Sequence, residues 1–192
     1  MTHTMAADLR RIPVLSGNAP QLDIAQLPST PSTLFQWWLE AAVEADVPEP
    51  HAMTVSTMSQ DGIPDARVLT LKDFGERGWA FASTKSSAKG QQLDAHPYAA
   101  LSFWWQPLVR SIRIRGKVVE ASHEESLADL AARSAAAQRD TDPADWTRWW
   151  VVPEQVEFWQ GAQDRRHHRI VYRADGDGWM IDLPNSTAPT DS

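Results

Sequence analysis

Apolar residues recur at helical spacing from Leu34 through Phe35, Trp38, Leu39, Ala42 and Val43, and Val47-Pro48 ends the run. Ser32 or Thr33 is placed to cap that helix. From Ala52 the pattern changes to short β-rich runs separated by turn residues. Ala52 to Ser59 passes through Asp61-Gly62 into Ala66 to Leu71, and Trp79 to Ser83 follows the turn at Gly75 to Gly78. Three such runs in succession predict an antiparallel meander. Ser86 or Ser87 opens a short helix through Leu93, and a fourth strand spans Tyr98 to Trp105. The fifth has strict alternation: Ile112, Ile114 and Val118 share one face, while Arg113, Arg115 and Lys117 share the other. Ser122 with Glu125 forms a capping-box signature before an alanine-rich helix to about Gln138. After the loop Asp140 to Pro143 and a tryptophan-rich segment (Trp146, Trp149, Trp150), the last strands are predicted at Gln155 to Trp159, Arg169 to Tyr172 and Trp179 to Asp182.

Strands without regular strand-helix-strand alternation point to a mainly β fold with helices, a six- to seven-stranded antiparallel barrel. Residues 1–30 mix prolines with isolated apolar positions and read as a mobile N-terminal arm. Residues 31–184 form the folded domain, and 185–192 read as a disordered tail.

Composition narrows the chemistry. Among 192 residues there is no cysteine, so disulfides, thiolate metal sites and thiol nucleophiles are excluded and redox work falls to a cofactor. The formal charge of -7 argues against a nucleic-acid binder. No apolar run is long enough for a bilayer and the opening residues lack a secretory pattern, so the expected location is the cytoplasm. Ten tryptophans favour a core or a subunit interface. Basic residues collect at Arg110 to Lys117 and Arg165 to Arg173, enough to receive a small anion.

Three segments carry candidate chemistry. Arg67 to Lys72 places Arg67 and Leu69 on one strand face and Val68 and Lys72 on the other. Ser83 to Lys89 joins a strand end to a helix start with hydroxyls, backbone N–H groups and lysines, which suits a phosphate. Val156 to Gly161 is followed by Arg165, His167 and Arg169. The adjacent His167 and His168 face opposite ways on an extended chain, and no metal site is expected.

In this order the motifs resemble the pyridoxamine 5'-phosphate oxidase family over roughly residues 34–182. The resemblance implies a split β-barrel homodimer (the FMN-binding split barrel) with FMN between subunits. It places Arg67, Val68, Leu69, Lys72, Ser83, Lys89 and Ser111 at cofactor positions, with Trp159 and Arg169 reaching the same FMN from the partner. It makes Arg165 and His167 catalytic residues that cover the substrate, and Lys72 and Arg133 further substrate contacts. There are departures. Ala82, Ala88 and Ser111 stand where the family usually has Tyr, Arg and Gln. Asp129, Arg133 and Ala137 stand where it grips the substrate phosphate with Tyr, Arg and Ser, and the stretch after residue 139 is shortened. The implied activity is oxidation of pyridoxamine or pyridoxine 5'-phosphate to pyridoxal 5'-phosphate by dioxygen. The alternatives are an oxidase of the same fold for another small molecule, such as a phenazine-like metabolite, and a flavin-binding module without turnover.

Overall fold

Nine antiparallel strands build the computed structural model, which describes residues 5–184. Their ranges are β1 (Ala52–Met58), β2 (Pro64–Thr70), β3 (Asp73–Gly75), β4 (Gly78–Thr84), β5 (Tyr98–Trp105), β6 (Arg110–Glu120), β7 (Trp146–Gln160), β8 (His168–Asp175) and β9 (Gly178–Asp182). The helices are α1 (Met5–Leu9), α2 (Pro31–Glu44), α3 (Ala88–Ala95), α4 (His123–Ala131) and α5 (Ala135–Arg139). Strand order is β2-β1-β5-β6-β7-β4-β3, with β8 beside β7 and β9 beside β8. The two ends of the main order meet at residues 71–72. Leu71 N–H donates to His51 O (2.9 Å) and Lys72 N–H to Ala80 O (2.8 Å), which closes the barrel.

The expected meander stops after two strands. β4 pairs with β7 and β3, not with β2, because Trp79, Ala80, Phe81 and Ala82 are buried on both faces of the strand and need cover on both. The strand count also exceeds the predicted six or seven. β3 is too short to show a period, and the tryptophan-rich segment is continuous with Gln155 to Trp159 in one 15-residue strand. Pro153 looks like a break in sequence. It lies instead at a register shift opposite Arg115/Gly116, where a strand can accommodate a residue that lacks an N–H. Glycine is required at 116, since a Cβ there would collide with the Val152 carbonyl oxygen.

Thr30, rather than Ser32 or Thr33, caps α2 through Thr33 N–H, with Pro31 in the first turn. Leu34, Phe35, Trp38 and Ala42 are buried beneath it, whereas Val43 is exposed. Phe35 is the hub of the core. Its ring lies 4.8 Å from Phe74, 5.5 Å from Trp79 and 5.2 Å from Phe103. The alanine-rich helix is two helices, since Ser134 caps α5 and α5 buries no residue that would hold the pair in line.

The segment read as an arm is fastened to the barrel. Asn18 N–H donates to Pro107 O, Gln160 Nε2 to Pro20 O, and the Tyr172 hydroxyl to Pro28 O, each at 2.8 Å. Leu22 and Leu27 pack on the core. Residues 1–4 of the arm and the tail 185–192 lie outside the described residues. No described helix is long and apolar enough to cross a membrane.

Candidate active site

Strand pairing assigns each candidate residue to a face. Val55, Leu101, Ile112, Phe158 and Ile170 are fully or almost fully buried, so their face points inward, and Arg67, opposite Val55, shares it. Ser83 shares the inner face with Phe81 on β4. At this end of the barrel Arg67 donates to Val55 O (3.2 Å), Thr57 Oγ1 (2.5 Å), Gln92 Oε1 (3.1 Å) and Asp65 Oδ2 (2.5 Å). Hydrogen bonding from Gln92 and the charge of Arg67 hold the Asp65 carboxyl below its ordinary range.

Ser87 caps α3 and so fixes the position of Lys89 two residues on. Lys89 Nζ donates to Ser83 Oγ (2.6 Å) and Ser87 Oγ (3.0 Å), and it has no carboxylate partner among the described residues. Burial first, and the nearby Arg67 charge second, push the Lys89 ammonium below its usual range. Two cations are therefore held close together with hydroxyls around one of them. Such an arrangement is relieved by a bound anion, so the residues fit a phosphate-terminated ligand.

The outer face carries a second set. Trp104, Ser111, Trp159 and Arg169 form one cross-strand row over β5, β6, β7 and β8. The Trp104 and Trp159 rings lie 6.3 Å apart, and Trp104 is 51% exposed. Next in the row along the strands, Glu157 receives Arg113 at 3.1 Å and Arg169 at 3.6 Å.

Arg165 and His167 lie in the β7–β8 connection, where Arg165 has φ +65°. With Ala162 and Gln163 they line a cleft of about 610 Å³, whose other wall is Val14 to Ser16 of the arm. Ala162 N–H donates to His167 Nδ1 (3.1 Å), so the neutral ring carries its proton on Nε2. The imidazole also packs 5.0 Å from the Trp159 ring. A cleft of about 640 Å³ elsewhere on the outer face, flanked by Arg115, Gln155 and Arg173, contains none of the candidate residues.

Residues 39–160 match the family model for pyridoxamine 5'-phosphate oxidase. The chain belongs to the pyridoxamine 5'-phosphate oxidase family. Residues 146–183 match the C-terminal dimerisation region of pyridoxine 5'-phosphate oxidase. The pyridoxine/pyridoxamine 5'-phosphate oxidase of Gloeothece citriformis is 38% identical, with 92% of this chain and 96% of that protein covered. The enzyme of the same name from Pseudomonas fluorescens is 37% identical, with 95% and 98% covered. Among solved structures, PhzG from Burkholderia lata in complex with tetrahydrophenazine-1-carboxylic acid superposes with a TM-score of 0.81 at 25% identity, covering 88% of this chain and all of that one. A pyridoxamine 5'-phosphate oxidase-related, FMN-binding protein from Nostoc punctiforme has the same fold, with a TM-score of 0.67 at 17% identity over 83% of this chain and all of that one. The protein is thus a flavin-dependent oxidoreductase on a split barrel.

In this member of the pyridoxamine 5'-phosphate oxidase family the candidate residues fall into separate groups. Arg67, Ser83 and Lys89 come together on the inner side. Ser111, Trp159, His167 and Arg169 come together on the outer side, and Arg165 lines the neighbouring cleft. Val68 lies on the outer face and does not join Arg67, whereas Leu69 packs on the core. Lys72 and Arg133 form a third group around Trp146. Lys72 Nζ lies 3.9 Å from Asp129 Oδ1, Trp146 Nε1 donates to Asp129 Oδ2 (3.0 Å), and the Arg133 guanidinium stacks 4.3 Å from the Trp146 ring centre. Sequence reading missed Thr57, Gln92 and Trp104. Thr57 and Gln92 carry no motif and enter through their bonds to Arg67. Trp104 was readable only as one more strand tryptophan.

Proposed function

We propose that the protein is an FMN-dependent oxidase, working as a homodimer, that converts pyridoxamine or pyridoxine 5'-phosphate to pyridoxal 5'-phosphate with dioxygen as acceptor. The observation that carries the reading is the division of the cofactor residues between two faces. Arg67 and Ser83 lie on the inner face, with Lys89 of α3 bonded to Ser83, and Trp159 and Arg169 lie on the outer one, so within one chain the sheet stands between the two sets. A second copy related by a two-fold axis supplies the missing half of each site. The match of residues 146–183 to a dimerisation region supports this arrangement.

Arg67, Ser83 and Lys89 would hold the FMN phosphate by charge-assisted hydrogen bonds, with Ser111, Trp159 and Arg169 of the other copy against the ring. When bound, FMN supplies the two-electron acceptor and returns the electrons to dioxygen. The chain's own work is positioning. Arg165 orients the substrate through its guanidinium. His167, its Nδ1 engaged by Ala162, meets the substrate as a hydrogen-bond donor through Nε2. The arm residues Val14 to Ser16 wall the same cleft and limit the entry of water.

Lys89→Met is expected to weaken FMN binding about ten- to a hundredfold, since charge-assisted hydrogen bonds contribute roughly 1.5–3 kcal/mol. Fluorescence titration of the apoprotein measures it. Mixing Lys89→Met with Arg169→Met protein should restore part of the lost FMN sites, because each mixed dimer contains one site built from two intact halves. If neither the mixture nor prolonged exchange restores any site, the shared-site reading fails.

A second reading, oxidation of another small heterocycle, is favoured by the Asp129 carboxylate beside Lys72. The similarity to PhzG, whose ligand is a carboxylic acid, supports it.

A further inference from the structure

We propose that Arg110 and Gln160 are positioning residues: together they fix the arm at Pro20, so that Val14 to Ser16 stand as the wall of the cleft opposite Arg165 and His167 and raise its affinity for substrate. The inference rests on the oxidase reading above and adds the residues that shape its substrate cleft.

Arg110 is a cation in an apolar place. It is 4% exposed, has no carboxylate partner among the described residues, and lies against α2 with its guanidinium 4.1 Å from the Trp38 ring centre. Burial pushes the Arg110 guanidinium down to about 10, so it still carries its charge at neutral pH. A buried cation without a carboxylate costs stability, and an apolar side chain would fill the same space without that cost. What the charge does here is orient a neighbour.

Arg110 and Gln160 are cross-strand partners on β6 and β7, and Arg110 Nε donates to Gln160 Oε1 at 2.8 Å. Gln160 is buried, so water does not compete for its amide. A charged donor on one side fixes the amide oxygen there, and the Nε2 donor must then point the other way. It meets Pro20 O at 2.8 Å. With an apolar residue at 110 nothing would stop the amide from turning, and its oxygen would then face the Pro20 carbonyl oxygen.

From Pro20 the arm runs back over the turn before β6. Asn18 N–H donates to Pro107 O at 2.8 Å, and Gln106 Nε2 donates to Ser16 Oγ at 3.3 Å. Gly17 lies directly on that turn, since a Cβ there would stand 2.4 Å from the carbonyl oxygens of both Gln106 and Pro107. The preceding residues then reach the cleft of about 610 Å³. Val14 and Ser16 are exposed and Leu15 is only partly buried, so little apolar burial holds this wall in place. The polar bonds at 16, 18 and 20 decide where it stands.

The test is steady-state oxidation of pyridoxamine 5'-phosphate at saturating FMN, with amide hydrogen exchange of the arm followed on the same FMN-loaded proteins. Gln160→Glu separates the two bonds of the side chain, because a carboxylate still accepts from Arg110 but has no N–H for Pro20. It should leave flavin content unchanged and kcat within about threefold, while KM rises about tenfold and the Asn18 amide exchanges about tenfold faster. The unfolding midpoint should stay close to that of the wild type, which a purely structural role for Gln160 would not allow. Gly17→Ala lifts the arm from the other side and should raise KM by a similar factor. The double variant should exceed either single one by less than about threefold, where independent effects would multiply to about a hundredfold. If Gln160→Glu does not fold, Arg110→Met serves the same comparison. An active variant with unchanged KM or unchanged Asn18 exchange, or effects that multiply in the double variant, overturns the inference and leaves the oxidase reading standing. A wild-type protein that takes up no flavin overturns that reading, and this inference falls with it.

Discussion

Arg165→Leu is expected to lower turnover by about a hundredfold or more at saturating FMN while leaving flavin content almost unchanged. The expectation comes from where the side chain lies. Arg165 lines the cleft with His167 and the arm residues Val14 to Ser16, apart from the Arg67, Ser83 and Lys89 cradle. Leucine keeps bulk in the cleft but removes a cation that orients the substrate, so the loss falls on the reaction. Arg169→Met should do the reverse. Arg169 is in register with Trp159 on the outer face, and its removal should weaken FMN binding about ten- to a hundredfold, with turnover largely recovered once FMN is supplied in excess. The two arginines are four positions apart, yet the strand begins between them, and the first belongs to a loop while the second belongs to the sheet. Stopped-flow reduction and flavin titration on both variants separate the two effects. Full turnover by Arg165→Leu would remove this loop from the reaction.

The second large effect is structural. Phe35→Ala should destabilise the protein by about 3–5 kcal/mol, the range for a fully buried aromatic cut back to alanine. Phe35 has no exposed surface and meets Phe74, Trp79 and Phe103 edge-on, with Trp105 6.2 Å away. These rings come from α2 and from β3, β4 and β5, so the cavity would open where the helix plugs the barrel. Urea unfolding with tryptophan fluorescence reads the change directly, because Trp79 and Trp105 border the site. Phe35→Leu should recover more than half of the loss, as the leucine fills most of the volume. If Phe35→Ala is about as stable as the wild type, α2 is not a structural plug.

Much of the barrel could be read from the chain because its signals are local. Strict alternation in Ile112 to Val118 identifies β6, and Ser122 with Glu125 announces the capping box that starts α4, both of whose hydrogen bonds form. The run Trp79 to Ser83, which is β4, was legible as a strand but not in its pairing. Alternation says which residues share a face, whereas the partner depends on which neighbour covers an apolar run buried on both sides. The join of the tryptophan-rich segment to Gln155 to Trp159 was hidden for a related reason, since whether a strand runs on through Pro153 depends on the register shift that only its pairing with β6 provides. The residues of the candidate site were readable as types at motif positions. Thr57 and Gln92 were not, because a threonine and a glutamine become part of an anion cradle only when β1 and α3 bring them to Arg67.

By itself the sequence determined the periods, the caps, the absence of thiol chemistry and the cationic motifs, since each depends on residues near one another along the chain. Only the tertiary structure decided that β4 crosses to β7, that Arg67 and Lys89 are held in one field, and that Trp159 and Arg169 look out from the opposite face. It also decided that Lys72 meets a carboxylate rather than open space. Residues 72 and 129 lie far apart in the chain, and the charge that Lys72 can offer a ligand depends on what the fold sets within 4 Å of it, which no local pattern encodes.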